Sequence, residues 1–143
     1  MASVAKMEFQ ARVLVDGSGE GPALVLAEPL SLWGGLDPDT GEVIDRRHAA
    51  AGGHMQGRVL VMPIGRGSSS ASSILLEAVR QSTAPAAIIL AEVDGILALG
   101  AAVAREMYDA SPPVVVLESA DYAQLLAGQQ VRVEAGGKVT VTP

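Results

Sequence analysis

The segment GRGSSSASS, residues 65–73, places five hydroxyl side chains and two glycines in nine positions. It follows the apolar run at residues 59–64 and precedes the helical spacing of residues 74–79. Hydroxyls beside the free N–H groups of a helix start can bind an anion or stabilise an oxyanion. Gly65 and Gly67 would let the backbone approach a ligand closely. Ser68, Ser69 and Ser70 add groups that both donate and accept hydrogen bonds. The loop is therefore a solvated helix-capping turn, an anion-binding loop or the catalytic edge of an enzyme. A P-loop is excluded, because no Lys-Ser/Thr pair follows the last glycine. The dinucleotide fingerprint lacks its third glycine, and there is no Gly-x-Ser-x-Gly nucleophile elbow.

The other chemistry-bearing residues read more plainly. Trp33, beside Gly34 and Gly35, is expected to be a packed tryptophan at a glycine-rich turn. Asp37, Asp39, Glu42 and Asp45 do not have the spacing of a calcium loop and read as a solvated acidic turn. His48 and His54 lack the HExxH spacing, so both are expected to be exposed rather than catalytic or metal-bound. Asp94 is first the N-terminal cap of a helix and only second a site residue. No spacing supports a Ser/His/Asp triad, which weakens an independent hydrolase.

The elements that would position the loop follow from periodicity. Residues 8–15 alternate, with Phe9, Ala11, Val13 and Val15 on one face, and predict a half-buried strand. DGSGEGP reads as a turn and residues 23–27 as a second short strand. Residues 29–57 form a long irregular section, the kind that is functional or covers something. Beyond it, apolar runs at residues 58–64, 86–91 and 114–117 predict strands buried on both faces. They alternate with helices at residues 72–81, 96–107 and 120–126, Ser119 being the expected N-cap of the last. Such alternation implies parallel crossovers. Residues 131–133 and 138–141 predict a closing hairpin across EAGG. The expected fold is α/β: a β-rich first half packed with a parallel β/α second half, in a single domain spanning residues 1–143.

Composition narrows the partners. The net charge is −6, the pI is about 4.8 and no basic stripe occurs, which argues against nucleic acid. With no cysteine, this chain supplies neither a disulfide nor thiolate ligands for zinc or iron–sulfur. The first ten residues lack a signal-peptide core, and the longest apolar stretch, residues 95–104, is too short to span a bilayer. A soluble, cytoplasmic protein without a membrane partner is expected.

The ordered set PLSLWGGLDPDTGEVID, GRGSSSASSILLEAVR, TAPAAIIL and DGILALGAAVAREMY resembles the small subunit of the aconitase X family. Small subunits of that family serve dehydratases acting on cis-3-hydroxy-L-proline or (R)-5-phosphomevalonate. The resemblance runs from about Phe9 to Val141 and implies a swivelling β/β/α domain. It also implies a larger catalytic subunit that carries an iron or iron–sulfur centre, with no metal held by this chain. Aconitase-type swivel domains carry a Gly-Ser-Ser-Arg loop, whose first serine is the base and whose arginine grips a substrate carboxylate. On this chain Gly67, Ser68 and Ser69 match, making Ser68 the implied catalytic base. Ser70 stands where the arginine would be, and Arg66 could supply a charge from the other side. Gly65, Arg66, Gly67, Ser69 and Ser70 are then the implied substrate-binding residues.

The resemblance therefore implies half of a hydro-lyase acting on a small hydroxy acid, with cis-3-hydroxy-L-proline the preferred substrate. The alternatives are (R)-5-phosphomevalonate, or a non-enzymatic module that binds an anion or a partner. Residues 65–70 and the turn at 33–37 are expected to face the large subunit. An isolated chain can self-associate through the same face.

Overall fold

The computed structural model describes residues 6–65 and 70–143, and its organising feature is a sheet that nearly closes on itself. Across the sheet the strands run β1 (Met7–Gln10), β10 (Lys138–Thr142), β9 (Gln130–Val133), β3 (Gly19–Val25), β6 (Val59–Met62), β7 (Ala87–Leu90), β8 (Val114–Val116) and β2 (Arg12–Val15). Strands β3, β6, β7 and β8 are mutually parallel, and the remaining pairings are antiparallel. The helices are α1 (Leu32–Gly35), α2 (Ala71–Arg80), α3 (Gly95–Tyr108) and α4 (Ser119–Tyr122). A separate small hairpin joins β4 (Leu36–Asp37) to β5 (Glu42–Val43).

The expected strand at residues 8–15 is in fact two. The chain breaks at Ala11, whose N–H donates to the Gly137 carbonyl at 2.8 Å. Residues before the break pair with β10, and residues after it pair with β8 at the far end of the sheet. Alternation persists through the break, so periodicity does not reveal it. A chain that crosses the seam covers both sheet edges at once, and unpaired edges are what a sheet must avoid.

The glycine-rich DGSGEGP stretch is corrected in part: residues 16–18 lie between strands, but from Gly19 it is strand rather than turn. β3 starts at Gly19, pairs with β9 through Pro22, and then pairs with β6 from Ala23. Gly19 and Gly21 lie where the backbones of Ala86 and Gly57 come too close for any side chain. These glycines mark strand packing rather than a bend.

The parallel strands are buried on both faces, as their unbroken apolar runs predict. Leu60, Met62, Ile88 and Leu90 face Leu75, Ala78, Leu97 and Ala101 of the helices. Val59, Val61, Ala87 and Ile89 instead join Val131, Val133, Val139 and Val141 in a second cluster on the other face. The helices at residues 72–81 and 96–107 shift by only one residue at each end. The third does not hold: α4 is four residues long, and Glu118, not Ser119, occupies its N-cap position without a side-chain capping bond. Beyond Ala123 the backbone bonds tighten to three-residue turns, Gln124 to Asp121 and Leu125 to Tyr122, and the Gln129 side chain then accepts from the Leu126 N–H at 2.7 Å. Among the described residues no helix is long and apolar enough to cross a membrane.

Residues 29–57 are more ordered than their irregular sequence suggests. Leu30, Leu32, Leu36, Val43 and Met55 are all fully buried in the helix-side core. Two expectations fail here. Trp33 is not packed but 60% exposed, because α1 is kinked at Trp33 and Gly34 while its neighbour Leu32 takes the inward position. His48 is buried rather than exposed: its Nδ1 accepts from the Ala50 N–H at 3.0 Å and its Nε2 reaches the Glu28 carbonyl at 3.0 Å. With Nδ1 accepting, the proton sits on Nε2 and both ring nitrogens are satisfied, which makes His48 a brace. Asp37 and Asp45 accept from the N–H groups of Asp39 and Arg47, as residues of an acidic turn.

The Tyr122 hydroxyl is buried without a hydrogen-bond partner among the described residues, and burial pushes its pKa up to about 12. An unsatisfied buried hydroxyl costs about 1–3 kcal/mol, so Tyr122→Phe is expected to stabilise the fold by about 1 kcal/mol. A higher midpoint in urea denaturation, with an unchanged slope, is the expected reading.

Candidate functional site

Parallel strands bring the loops at their carboxyl ends to one edge of the sheet, where α/β domains bind ligands. Because β6 and β7 are neighbours, the loop after β6 meets the loop after β7. The Ala91 and Glu92 N–H groups both donate to the Pro63 carbonyl, at 2.9 and 3.1 Å. Two residues further along each chain, the Gly65 N–H donates to Asp94 Oδ2 at 2.9 Å. The other oxygen, Oδ1, accepts from the Ile96 and Leu97 N–H groups at 3.0 and 3.1 Å. Asp94 is only 9% exposed. It caps α3 as the sequence predicts, but it also clasps the serine loop, which the sequence does not reveal.

Among the residues of that loop, Gly65 and Ser70 are described, whereas Arg66, Gly67, Ser68 and Ser69 lie outside the described residues. A side chain at position 65 would run into Asp94 Oδ2 and come within 3.3 Å of the Leu97 Cδ1. A larger residue here would have to push the Asp94 carboxylate aside. Ser70 is the N-cap residue of α2, and its carbonyl accepts from the Ser73 and Ile74 N–H groups at 3.1 and 3.2 Å. The helix starts at Ala71, so Ser72, expected at the helix start, lies in the first turn instead.

A cavity of about 340 Å³ opens beside this junction. Leu30, Leu32, Ile64, Val93 and Ile96 make its apolar wall, with Gly65 and Asp94 as polar members. The section at residues 29–57 therefore contributes directly to the site through two leucines. Of the apolar lining residues, Val93 is 48% exposed, and Trp33, next in chain to the lining residue Leu32, is exposed as well. Sequence reasoning missed this wall and the Asp94 clasp. The available signal was topological, since loops after adjacent parallel strands must be neighbours.

The donor set does not fit a metal. The chain has no cysteine, and among the described residues no three His, Asp or Glu side chains converge. Asp94, the carboxylate at the cavity, has both oxygens engaged by backbone N–H groups.

A nearly closed mixed sheet, with a serine–glycine loop and a cavity at the carboxyl ends of its parallel strands, defines an α/β swivel-type domain. The chain belongs to the aconitase X swivel domain family, which matches residues 8–141. It is 52% identical over 106 residues to a cis-3-hydroxy-L-proline dehydratase of Pseudomonas aeruginosa, a match that covers 74% of this chain and 18% of that one. It is 42% identical to the phosphomevalonate dehydratase small subunit of Methanothermobacter thermautotrophicus, covering 93% of this chain and 98% of that one. The crystal structure of Thermococcus kodakaraensis aconitase X in its holo-form superimposes with a TM-score of 0.83 at 34% identity, covering 94% of this chain and 98% of that one. The chain thus spans under a fifth of the Pseudomonas relative and nearly the whole of the small subunit.

Proposed function

We propose that this chain is the swivel unit of a hydro-lyase, a dehydratase that removes water from a small hydroxy acid, and that Ser68 is its base. The observation that carries the reading concerns Gly65, the residue that precedes Arg66. It follows β6 at the ligand-binding edge of the sheet, lines a cavity and donates its N–H to Asp94. In the reaction the base takes a proton from one carbon while the neighbouring carbon loses its hydroxyl, giving a double bond and water. A serine hydroxyl is a weak base at its ordinary pKa, so it needs donors that stabilise the alkoxide. The serines and backbone N–H groups of a loop running into a helix start are suited to that task.

The remaining parts are assigned to a larger catalytic partner. The names of the small-subunit relatives presuppose one, and the exposed Trp33 and the exposed cavity residue Val93 suit its contact face, together with residues 65–70. Any iron or iron–sulfur centre that the reaction uses belongs on that partner, because the donor set here does not fit one. Arg66 is the candidate grip for a substrate carboxylate, in place of the arginine that Ser70 replaces.

We assign cis-3-hydroxy-L-proline as the substrate, on the strength of the 52% identity to the Pseudomonas dehydratase. The described cavity lining has an apolar wall suited to a hydrocarbon ring. (R)-5-Phosphomevalonate is the second reading, favoured by the relative whose whole length the chain matches. Reconstitution with the large partner, assayed on both compounds, is the test. Dehydration of cis-3-hydroxy-L-proline, absent with either component alone, is the expected result. Turnover of phosphomevalonate instead would establish the second reading. A stable complex inactive on both would leave a non-enzymatic binding module.

A further inference from the structure

We propose that Asp94 is the positioning residue of this site: one carboxylate fixes the start of α3 and also Gly65, three residues before Ser68 in the chain. The inference rests on the functional reading above.

Capping α3 uses only half of the side chain. Oδ1 alone accepts from both Ile96 and Leu97, and asparagine or serine would serve a helix start equally well. Oδ2 is not needed for the cap, and it accepts from a residue 29 positions earlier in the chain. Only a carboxylate presents acceptors in both directions, since an amide must turn a donor toward one of them. The bond is partly buried and charge-assisted, which makes it stronger than a neutral one.

The same helix also packs against α2, which follows the loop in the chain. Gly100 of α3 packs against the first turn of α2, where an added Cβ would lie 2.8 Å from the Ser72 carbonyl oxygen and 3.0 Å from its Cα. The described residues Gly65 and Ser72, which precede and follow the serine triplet in the chain, thus both meet the α3 region, Gly65 through Asp94 and Ser72 through Gly100. A base must meet its proton within a fraction of an ångström, and a displacement of about 1 Å can cost on the order of a hundredfold in rate. Asp94 touches no reacting atom in this scheme and acts through the loop.

The test compares Asp94→Asn and Asp94→Ser in the assembled dehydratase, with amide hydrogen exchange read on the same variants. Both keep a helix cap and remove the second acceptor. The expected kcat falls on the order of a hundredfold while KM stays within about threefold. Exchange at the Gly65 amide rises about tenfold or more, with the body of α3 still protected. Unchanged kcat would overturn the proposal. So would exchange rising throughout α3 with activity lost in proportion to folded protein, since that marks a cap and nothing more. If wild-type complex is inactive on both compounds, the functional reading fails and the catalytic role of Asp94 with it. Gly65 exchange still reports in that case whether the clasp exists.

Discussion

Ser68→Ala is expected to lower turnover of the reconstituted dehydratase by about a hundred- to ten-thousand-fold, the usual contribution of a general base. Complex formation with the large partner should be kept, and the melting transition should fall by no more than several degrees. Losing a hydroxyl next to a helix start costs at most about 0.5–2 kcal/mol, well below the stability of an ordinary domain. The catalytic loss and the folding loss therefore separate. Ser72→Ala is the matched control. It removes the same hydroxyl from the same serine cluster, but from within the first turn of α2, whose N-cap position belongs to Ser70. Its activity should be largely retained. Near-wild-type turnover in Ser68→Ala would move the base to another residue, with Ser69 next in line. If Ser72→Ala were the more damaging change, the loop would be a helix cap and little else.

Gly21→Val is expected to destabilise the fold by at least about 3 kcal/mol, at the upper end of what overpacking causes. The backbone of Gly21 needs no unusual dihedral angle; the requirement is space. Its Cβ would collide with the Gly57 carbonyl oxygen and lie 3.1 Å from that carbonyl carbon and 3.3 Å from the Arg58 Cα. Those neighbours are backbone and cannot rotate away. β3 would have to retreat at the point where it passes from pairing with β9 to pairing with β6. That junction links the antiparallel and parallel parts of the sheet, so the damage would spread to both. Gly136→Ala offers the contrast: φ is 90° and nothing lies within 4 Å, so only conformational strain of about 1–2 kcal/mol applies. Urea or guanidinium titrations of the two variants should therefore rank Gly21→Val as much the worse.

Much of this protein was legible in the order of its residues. The apolar runs at residues 58–64, 86–91 and 114–117 announced strands buried on both faces, and the helical spacing between them announced a parallel β/α half. The serine–glycine loop declared itself by composition, and the cap at Asp94 by residue type. Tertiary structure alone decided the rest. Residues 8–15 alternate without interruption, yet they divide at Ala11 because the two far edges of the sheet both need a partner. Trp33 and His48 exchanged their expected environments, since a kink turned the tryptophan outward and two backbone groups closed around the imidazole. Oδ2 of Asp94 reached across to Gly65 because β6 and β7 lie side by side. Periodicity records which faces of a segment avoid water, and that is a local property. Which edge a strand covers, and which distant N–H a carboxylate accepts, depends on pairings between residues far apart in the chain, and no local pattern carries that information.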